Sequence, residues 1–220
     1  MSEPNPKLAT SRVGRPSRSP EAELTLQATI VDAARALFVQ EGVDSVSMRK
    51  IAARANISPM TIYTVFTNKR ALLYHIWDDI FAALDARIRK VRDGQPDAAS
   101  ELLAILHCML TYWLENPDCY RVIYLHQDVP AEGSEEYYVD GRQMARLGAL
   151  QEVLEAGIAN QQLKAHNTQI QAEVLYTQIL GLALAYITIP EYPWQQAEDM
   201  LEAITDAVLR RLNPTEINTE

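Results

Sequence analysis

The chain has 220 residues, of which 48% are apolar and 22% charged, and its formal net charge is -9. Those proportions fit an ordinary globular protein and exclude a disordered or fibrous one; no uninterrupted apolar run approaches the ~18 residues of a membrane-crossing helix, and the polar first 23 residues lack the apolar core of a secretory signal. Two cysteines, Cys108 and Cys119, exclude a disulfide framework, and neither has a CxxC or CxxH partner for a metal.

Residues 1–20 hold Pro4, Pro6, Pro16 and Pro20 with no apolar periodicity, which predicts a flexible arm. A first helix is expected over 21–41, where Ile30, Ala34, Leu37 and Phe38 recur at helical spacing and Gly42 supplies a stop. A short helix over 47–54 has Ser47 as its N-cap, and another over 58–65 has Ser58 as N-cap with Pro59 at the first helical position, where no N–H is needed. A fourth begins near Asn68 and runs to about residue 92. Gly94 and Pro96 break it and mark a boundary between an N-terminal domain, 21–93, and a larger one, 94–220. Further helices are expected over 98–115, 117–126, 135–159, 167–189 and 194–212, with a loop at 127–133 and Pro190 and Pro193 parting the last two. Period-two alternation is missing throughout, so the expected fold is all-α with about nine helices.

The charge is unevenly spread. Residues 1–93 carry 14 Lys/Arg against 10 Asp/Glu, a balance of +4, while residues 94–220 carry 6 against 19, a balance of -13. No acid occurs from Ser45 to Trp77, where Arg49, Lys50, Arg54, Lys69 and Arg70 all lie. A local basic patch is the electrostatic footprint of phosphate contact, whatever the net charge of the chain.

The stretch VSMRKIAARANISPMTIYTVFTNKRALL, residues 46–73, has the pattern of a helix-turn-helix. Val46, Ile51, Ala52, Ala55, Ile57, Ile62 and Phe66 are its apolar positions, and small Ala52 and Ala55 admit a closely crossing second helix. Asn56 stands in the turn, where it tolerates left-handed backbone better than most residues. Pro59, Met60, Thr61, Tyr63 and Thr64 remain for the outer side of the second helix, and none is acidic. A helix entering the major groove needs such a side. Pro59, Met60, Thr61 and Thr64 are therefore candidates for base contact. Ser47, Arg49, Arg54, Tyr63 and Lys69 are candidates for phosphate contact, Lys69 from the first turn of a helix whose free N–H groups also attract anions.

Residues 25–75 resemble the DNA-binding domain of the TetR family of bacterial repressors. The resemblance rests on the IVDAARALFVQEG helix, the V-S-M-R-x-IA-x-x-A-x-(I/V)-S stretch, the T-(I/L)-Y-x-x-F core and the N-K-x-A-L-L opening of the fourth helix. It implies a base-reading role for Thr61 and phosphate binding for Tyr63 and Lys69. Two departures stand out. Asn56 replaces the usual turn glycine, and Thr64-Val65 replaces the frequent His-Tyr pair, so an operator sequence does not carry over.

Ahead of this domain, Arg12, Arg15 and Arg18 flank Gly14 and Pro16. An extended Gly-Arg-Pro segment can lay arginine into a narrow A·T-rich minor groove; the alternative is a solvated basic tail. At the other end, Tyr176, Ile179, Leu180, Ala183, Leu184 and Ile187 line one helix face, and Trp194, Ala197, Leu201, Ile204, Val208 and Leu212 line the next. The resemblance implies that these two helices pair with those of a second copy. Ile179, Ala183, Ile187, Trp194, Leu201, Ile204 and Val208 are therefore the expected interface of a homodimer reading two half-sites.

The helices between 98 and 189 hold His107, Tyr112, Trp113, Tyr120, Tyr124, His126, Tyr137, Tyr138 and Tyr176. In the family the corresponding helices enclose a small-molecule effector, which points to His107, Trp113, Tyr120, Tyr124 and Tyr176 as lining. The expected partners are thus operator duplex DNA, a second copy and an effector, with no membrane, metal or cofactor and a cytoplasmic location. No P-loop, GxSxG or HExxH supports an enzyme, and the Glu135-Glu136 pair reads as a solvated helix start. An activator of the same fold and a protein-binding helical adaptor remain the alternatives to a repressor.

Overall fold

The computed structural model describes residues 19–126 and 145–212, which form nine helices and no strand. The arm residues Arg12, Arg15 and Arg18, the expected loop at 127–133, Glu135, Glu136, Tyr137 and Tyr138 lie outside the described residues.

Helix α1, Pro20–Glu41, is capped at its start by Ser19, whose side chain accepts from Ala22 N–H, and is stopped by Gly42 at φ 80°. That left-handed backbone suits glycine, and the Gly42 N–H closes the helix on the Phe38 carbonyl at 2.9 Å. Helices α2, Met48–Arg54, and α3, Pro59–Val65, make the helix-turn-helix. Helix α4, Lys69–Arg92, starts from an Asn68 cap and buries Leu72, Leu73, Ile76, Trp77, Ile80, Phe81, Leu84 and Ile88 along its whole length. The same helix contacts both α1 and α5, Ala98–Glu115, where the Tyr112 hydroxyl donates to the Ile80 carbonyl at 2.9 Å.

Helix α5 is the axis of the larger half and contacts α4, α6, α7, α8 and α9. Helix α6, Pro117–Tyr124, ends two residues before the expected limit; α7, Ala145–Ala159, α8, Thr168–Thr188, and α9, Ala197–Leu212, complete the bundle. The expected start of α9 at residue 194 is corrected to Ala197. Trp194 is held in the preceding turn instead, where its indole N–H donates to the Ile189 carbonyl at 2.9 Å and its ring lies 4.4 Å from that of Tyr192. By length and composition alone α8 is long and apolar enough to cross a membrane. Here one of its sides, with Leu175, Ile179, Leu182 and Ala183, is buried in the bundle.

Two close approaches hold α7 in place. Arg146 is fully buried, 3.2 Å from Asp85 of α4 and with its guanidinium 3.7 Å above the Phe81 ring. Gly157 meets α5 where a Cβ would stand 2.8 Å from that of Ala98, so only glycine lets the two helices come this near.

Candidate nucleic-acid interface and interior aromatic cluster

The local chemistry of α2 and α3 sets the angle between them. Ser47 accepts from the Lys50 N–H, and Ser58 accepts from the Thr61 N–H at 3.0 Å, so each short helix starts at a satisfied cap. Between them Asn56 takes φ 54°, the left-handed turn expected of it, and the Ile57 N–H returns to the Ala52 carbonyl at 2.9 Å. Ile51, Ala52 and Ile62 have no exposed surface, and Val46 and Phe66 are nearly as deep. The apolar set identified in the sequence is thus the wedge between α2, α3 and the rest of the domain.

That wedge fixes what faces out. Pro59, Met60, Tyr63 and Thr64 are exposed, with Met60 at 80% and Tyr63 at 50%. Thr61 is half-buried. Its hydroxyl lies 2.8 Å from that of Ser58, so the start of α3 already engages it, while Thr64 donates to the Thr61 carbonyl at 2.7 Å and keeps its oxygen free to accept. Around this side Ser47, Arg49 and Arg54 are exposed, and neither arginine pairs with an acid among the described residues. Lys50 is tied to Glu41 of α1.

Lys69 behaves differently from a free surface cation. It is half-buried, and its ammonium donates to the carbonyls of Val43 at 3.0 Å and Val46 at 3.2 Å. No spacing rule in the sequence announces that contact, which spans 26 and 23 residues. Thr67, exposed between α3 and α4, is a further outward hydroxyl that the motif did not single out.

In the larger half, four of the five expected effector residues meet. The Trp113 ring lies 5.6 Å from the rings of both Tyr120 and Tyr124, edge-on to each, and Tyr124 and Tyr176 join hydroxyls at 2.9 Å. Tyr120 donates to the Leu180 carbonyl at 2.8 Å. Burial pushes the phenols of Tyr112 and Tyr120 up to about 12, so both stay neutral. His107 is not part of this cluster. It stands exposed on another side of α5, in an open groove of about 1050 Å³ with Arg87, Lys90, Leu103, Cys108 and Leu201, because its position on α5 points away from α6 and α8. Cys108 and Cys119 are half-buried, and burial raises both thiols, which disfavours the reactive thiolate.

Most of the expected dimer residues lie within the bundle of their own chain. Ile179, Ala183, Ile187, Leu201 and Val208 are buried in their own chain, and Ile204 and Trp194 are half-buried. The buried ones are covered because α8 packs on α5 and α7, and α9 on α5. The uncovered side of α8 is a different stripe, Ile170, Val174, Thr177, Gly181, Leu184 and Thr188, all exposed and spaced by three or four residues. Open space surrounds Gly181. Ile170 is 58% and Val174 41% exposed.

Residues 30–76 match the family described as bacterial regulatory proteins, tetR family. The uncharacterized HTH-type transcriptional regulator YobS of Bacillus subtilis (strain 168) is 25% identical over 92% of this chain and 98% of its own. Among solved structures, the fatty acid degradation regulator FadR from Bacillus halodurans aligns over 92% of this chain and 100% of its own, with a TM-score of 0.68 at 16% identity. RolR in complex with the ligand resorcinol aligns over 88% and 90%, with a TM-score of 0.60 at 17% identity.

Proposed function

We propose that this chain, whose residues 30–76 match the tetR family of bacterial regulatory proteins, is a homodimeric, sequence-specific repressor that a small-molecule effector releases from its operator. The observation that carries the reading is the outer side of α3: Met60, Tyr63 and Thr64 stand exposed, as do Arg49 and Arg54 of the preceding helix, which pair with no acid among the described residues, and no acid occurs between residues 45 and 77. A helix of this kind fits the major groove, where Met60 and Thr64 meet base edges and thymine methyls and the arginines meet phosphate. Pro59 and Thr61 lie at the near end of the same side. Tyr63 and Ser47 complete the phosphate set, and the arm with Arg12, Arg15 and Arg18 reaches an adjacent minor groove.

Two copies are needed because one α3 spans only a half-site. The exposed stripe of α8 supports pairing, since Gly181 and the threonines allow a partner helix to approach closely while Ile170, Val174 and Leu184 supply apolar area. The cluster of Trp113, Tyr120, Tyr124 and Tyr176 is the effector site of this reading. A ligand wedged there moves α6 against α8 and favours a dimer whose two α3 helices no longer match successive major grooves. Binding to chromosomal DNA sets the cytoplasm as its place of action.

Selection of bound sequences from a random duplex pool tests the reading. The expected result is a palindromic site with half-sites about one helical turn apart. Enrichment of no sequence, with no salt-dependent retention on any duplex, would refute it. Adding candidate effectors to the protein on its selected site then identifies the compound that releases it.

A further inference from the structure

Lys69 is the first residue of α4, and a cation there is opposed by the positive end of the helix dipole. What offsets that cost is visible in the structure. Its Nζ donates to the Val43 carbonyl at 3.0 Å and to the Val46 carbonyl at 3.2 Å, both in the loop that joins α1 to α2. Val43 and Val46 are 6% and 2% exposed, so these carbonyls sit at the edge of the core. The Val43 carbonyl also takes the Val46 N–H at 3.3 Å, which closes the loop on itself. The Val46 carbonyl has no backbone donor among the described hydrogen bonds outside the helices, so removing the ammonium strands an acceptor that water reaches poorly. Across the same loop Lys50 of α2 pairs with Glu41 of α1.

We propose that Lys69 is a positioning residue: it staples the α1–α2 loop to the start of α4 and thereby fixes the tilt of α2 and α3, with its charge spent inside the protein and not on a DNA phosphate. The loop is the only covalent link between α1 and the helix-turn-helix, and Ser47, which caps α2, follows Val46 directly. Anchoring the Val43 and Val46 carbonyls therefore sets where α2 begins. Because α3 crosses α2 through Ile51, Ala52 and Ile62, the tilt passes on to Met60 and Thr64. The ammonium has three N–H groups and two are given to the loop. Such a residue acts on DNA binding through preorganisation: its loss frees the loop, and binding must then order it again.

The inference rests on the DNA-binding reading for its functional consequence, though not for the staple itself, and the experiment separates the two. The dependence of affinity on salt counts phosphate contacts, because each neutralised phosphate contributes about 0.9 to the slope of log K against log salt. Lys69→Met and the milder Lys69→Gln are titrated on the selected site and on random duplex from low to high salt, with Arg49→Met as the phosphate control. The expected result is a loss of about tenfold or more on the selected site, a smaller loss on random duplex and a slope equal to that of the unsubstituted protein. Arg49→Met should instead lower the slope by about 0.9. A Lys69 variant that loses about 0.9 of slope and weakens all duplexes equally overturns the proposal, as does one that binds both duplexes unchanged. Amide hydrogen exchange of the DNA-free protein gives a readout that survives failure of the DNA reading. Exchange at Val46, Lys50 and Ile51 should accelerate in both variants, and unchanged exchange there overturns the staple even if the chain binds no duplex.

Discussion

The hydroxyl of Tyr124 on α6 stands 2.9 Å from that of Tyr176 on α8, so a hydrogen bond ties the short helix α6 to the helix whose outer side exposes Ile170, Val174 and Leu184. Two further bonds join the same pair of helices. Tyr120 donates to the Leu180 carbonyl and Arg121 to the Ile187 carbonyl at 3.1 Å, both across the same pair of helices. On its other side α6 contacts α1, and the Trp77 indole of α4 donates to the Val122 carbonyl at 3.3 Å. A displacement of α6 is therefore felt by α1, α4 and α8 together.

From this follows the first prediction. Tyr124→Phe and Tyr176→Phe each remove one hydroxyl of the same bond and should each cost about 0.5–1.5 kcal/mol. The double variant should cost clearly less than their sum, because the second substitution finds the bond already gone. Urea unfolding of the four proteins measures this, and strict additivity would show that the two hydroxyls do not share a bond in solution.

A second prediction concerns alkaline pH. Burial holds Tyr112 and Tyr120 at about 12, against about 10 for an unfolded tyrosine. Below pH 10 both states carry the protons, and the stability associated with the neutral phenols is fully present. Between pH 10 and 12 the unfolded chain loses these protons while the folded chain keeps them, so stability falls by about 1.4 kcal/mol per pH unit for each tyrosine. Tyr120→Phe removes its share and should flatten the fall, read as the slope of unfolding free energy against pH in that window. A slope unchanged in Tyr120→Phe would place that phenol at its ordinary value.

How much of this was legible in the sequence depends on the range of the interaction. The helix ends were, because a cap is local: Ser47, Ser58 and Asn68 accept from N–H groups three residues on, and Gly42 and Asn56 take the left-handed backbone their side chains allow. The outward side of α3 was legible too, since the positions of Ile62 and Phe66 determine where Met60 and Tyr63 must point. Contacts between distant segments were not. Nothing in the string of residues says that Lys69 reaches back to Val43, that Arg146 lies on Phe81, or which side of a helix as uniformly apolar as α8 turns toward α5. With apolar residues on both sides, periodicity selects no direction: Ile179, Ala183 and Ile187 are buried in their own chain while Ile170, Val174 and Leu184 are exposed. The same holds for His107, because a helical position on α5 has no side until its neighbours are known.

The residues proposed to face DNA should divide by what they touch. Arg49→Ala and Arg54→Ala should weaken binding to every duplex alike, whereas Met60→Ala or Thr64→Ala should change base preference by about 1–3 kcal/mol at the position contacted. Thr61→Ala should act more weakly on preference than Thr64→Ala, because the Thr61 hydroxyl is held by Ser58 at 2.8 Å and its side chain is half-buried. Repeating the pool selection with each variant reads both effects. A shifted consensus for Arg49→Ala, or an unshifted one for both Met60→Ala and Thr64→Ala, would mean that the roles are assigned to the wrong residues.

The two sides of α8 give the sharpest contrast. Leu184 is 38% exposed on the outward stripe, while Ile179 has no exposed surface. Leu184→Glu places a charge on a surface that tolerates it in the single chain. It should leave the fold intact, within about 0.5 kcal/mol of stability measured on the monomer, and abolish pairing by putting like charges opposite each other across a two-fold axis. Ile179→Asp buries an unpaired carboxylate among α5 and α7 and should unfold the chain outright. Gly181→Leu separates steric from electrostatic causes: a Cβ at Gly181 meets no atom of its own chain within 4 Å, so an added apolar side chain there bears mainly on a second chain. Sedimentation should therefore give a folded monomer for Gly181→Leu and Leu184→Glu, with loss of preference for the two-half-site operator over an isolated half-site. If both variants still sediment as dimers with full operator preference, the partner docks elsewhere, and the stripe from Ile170 to Thr188 serves another purpose.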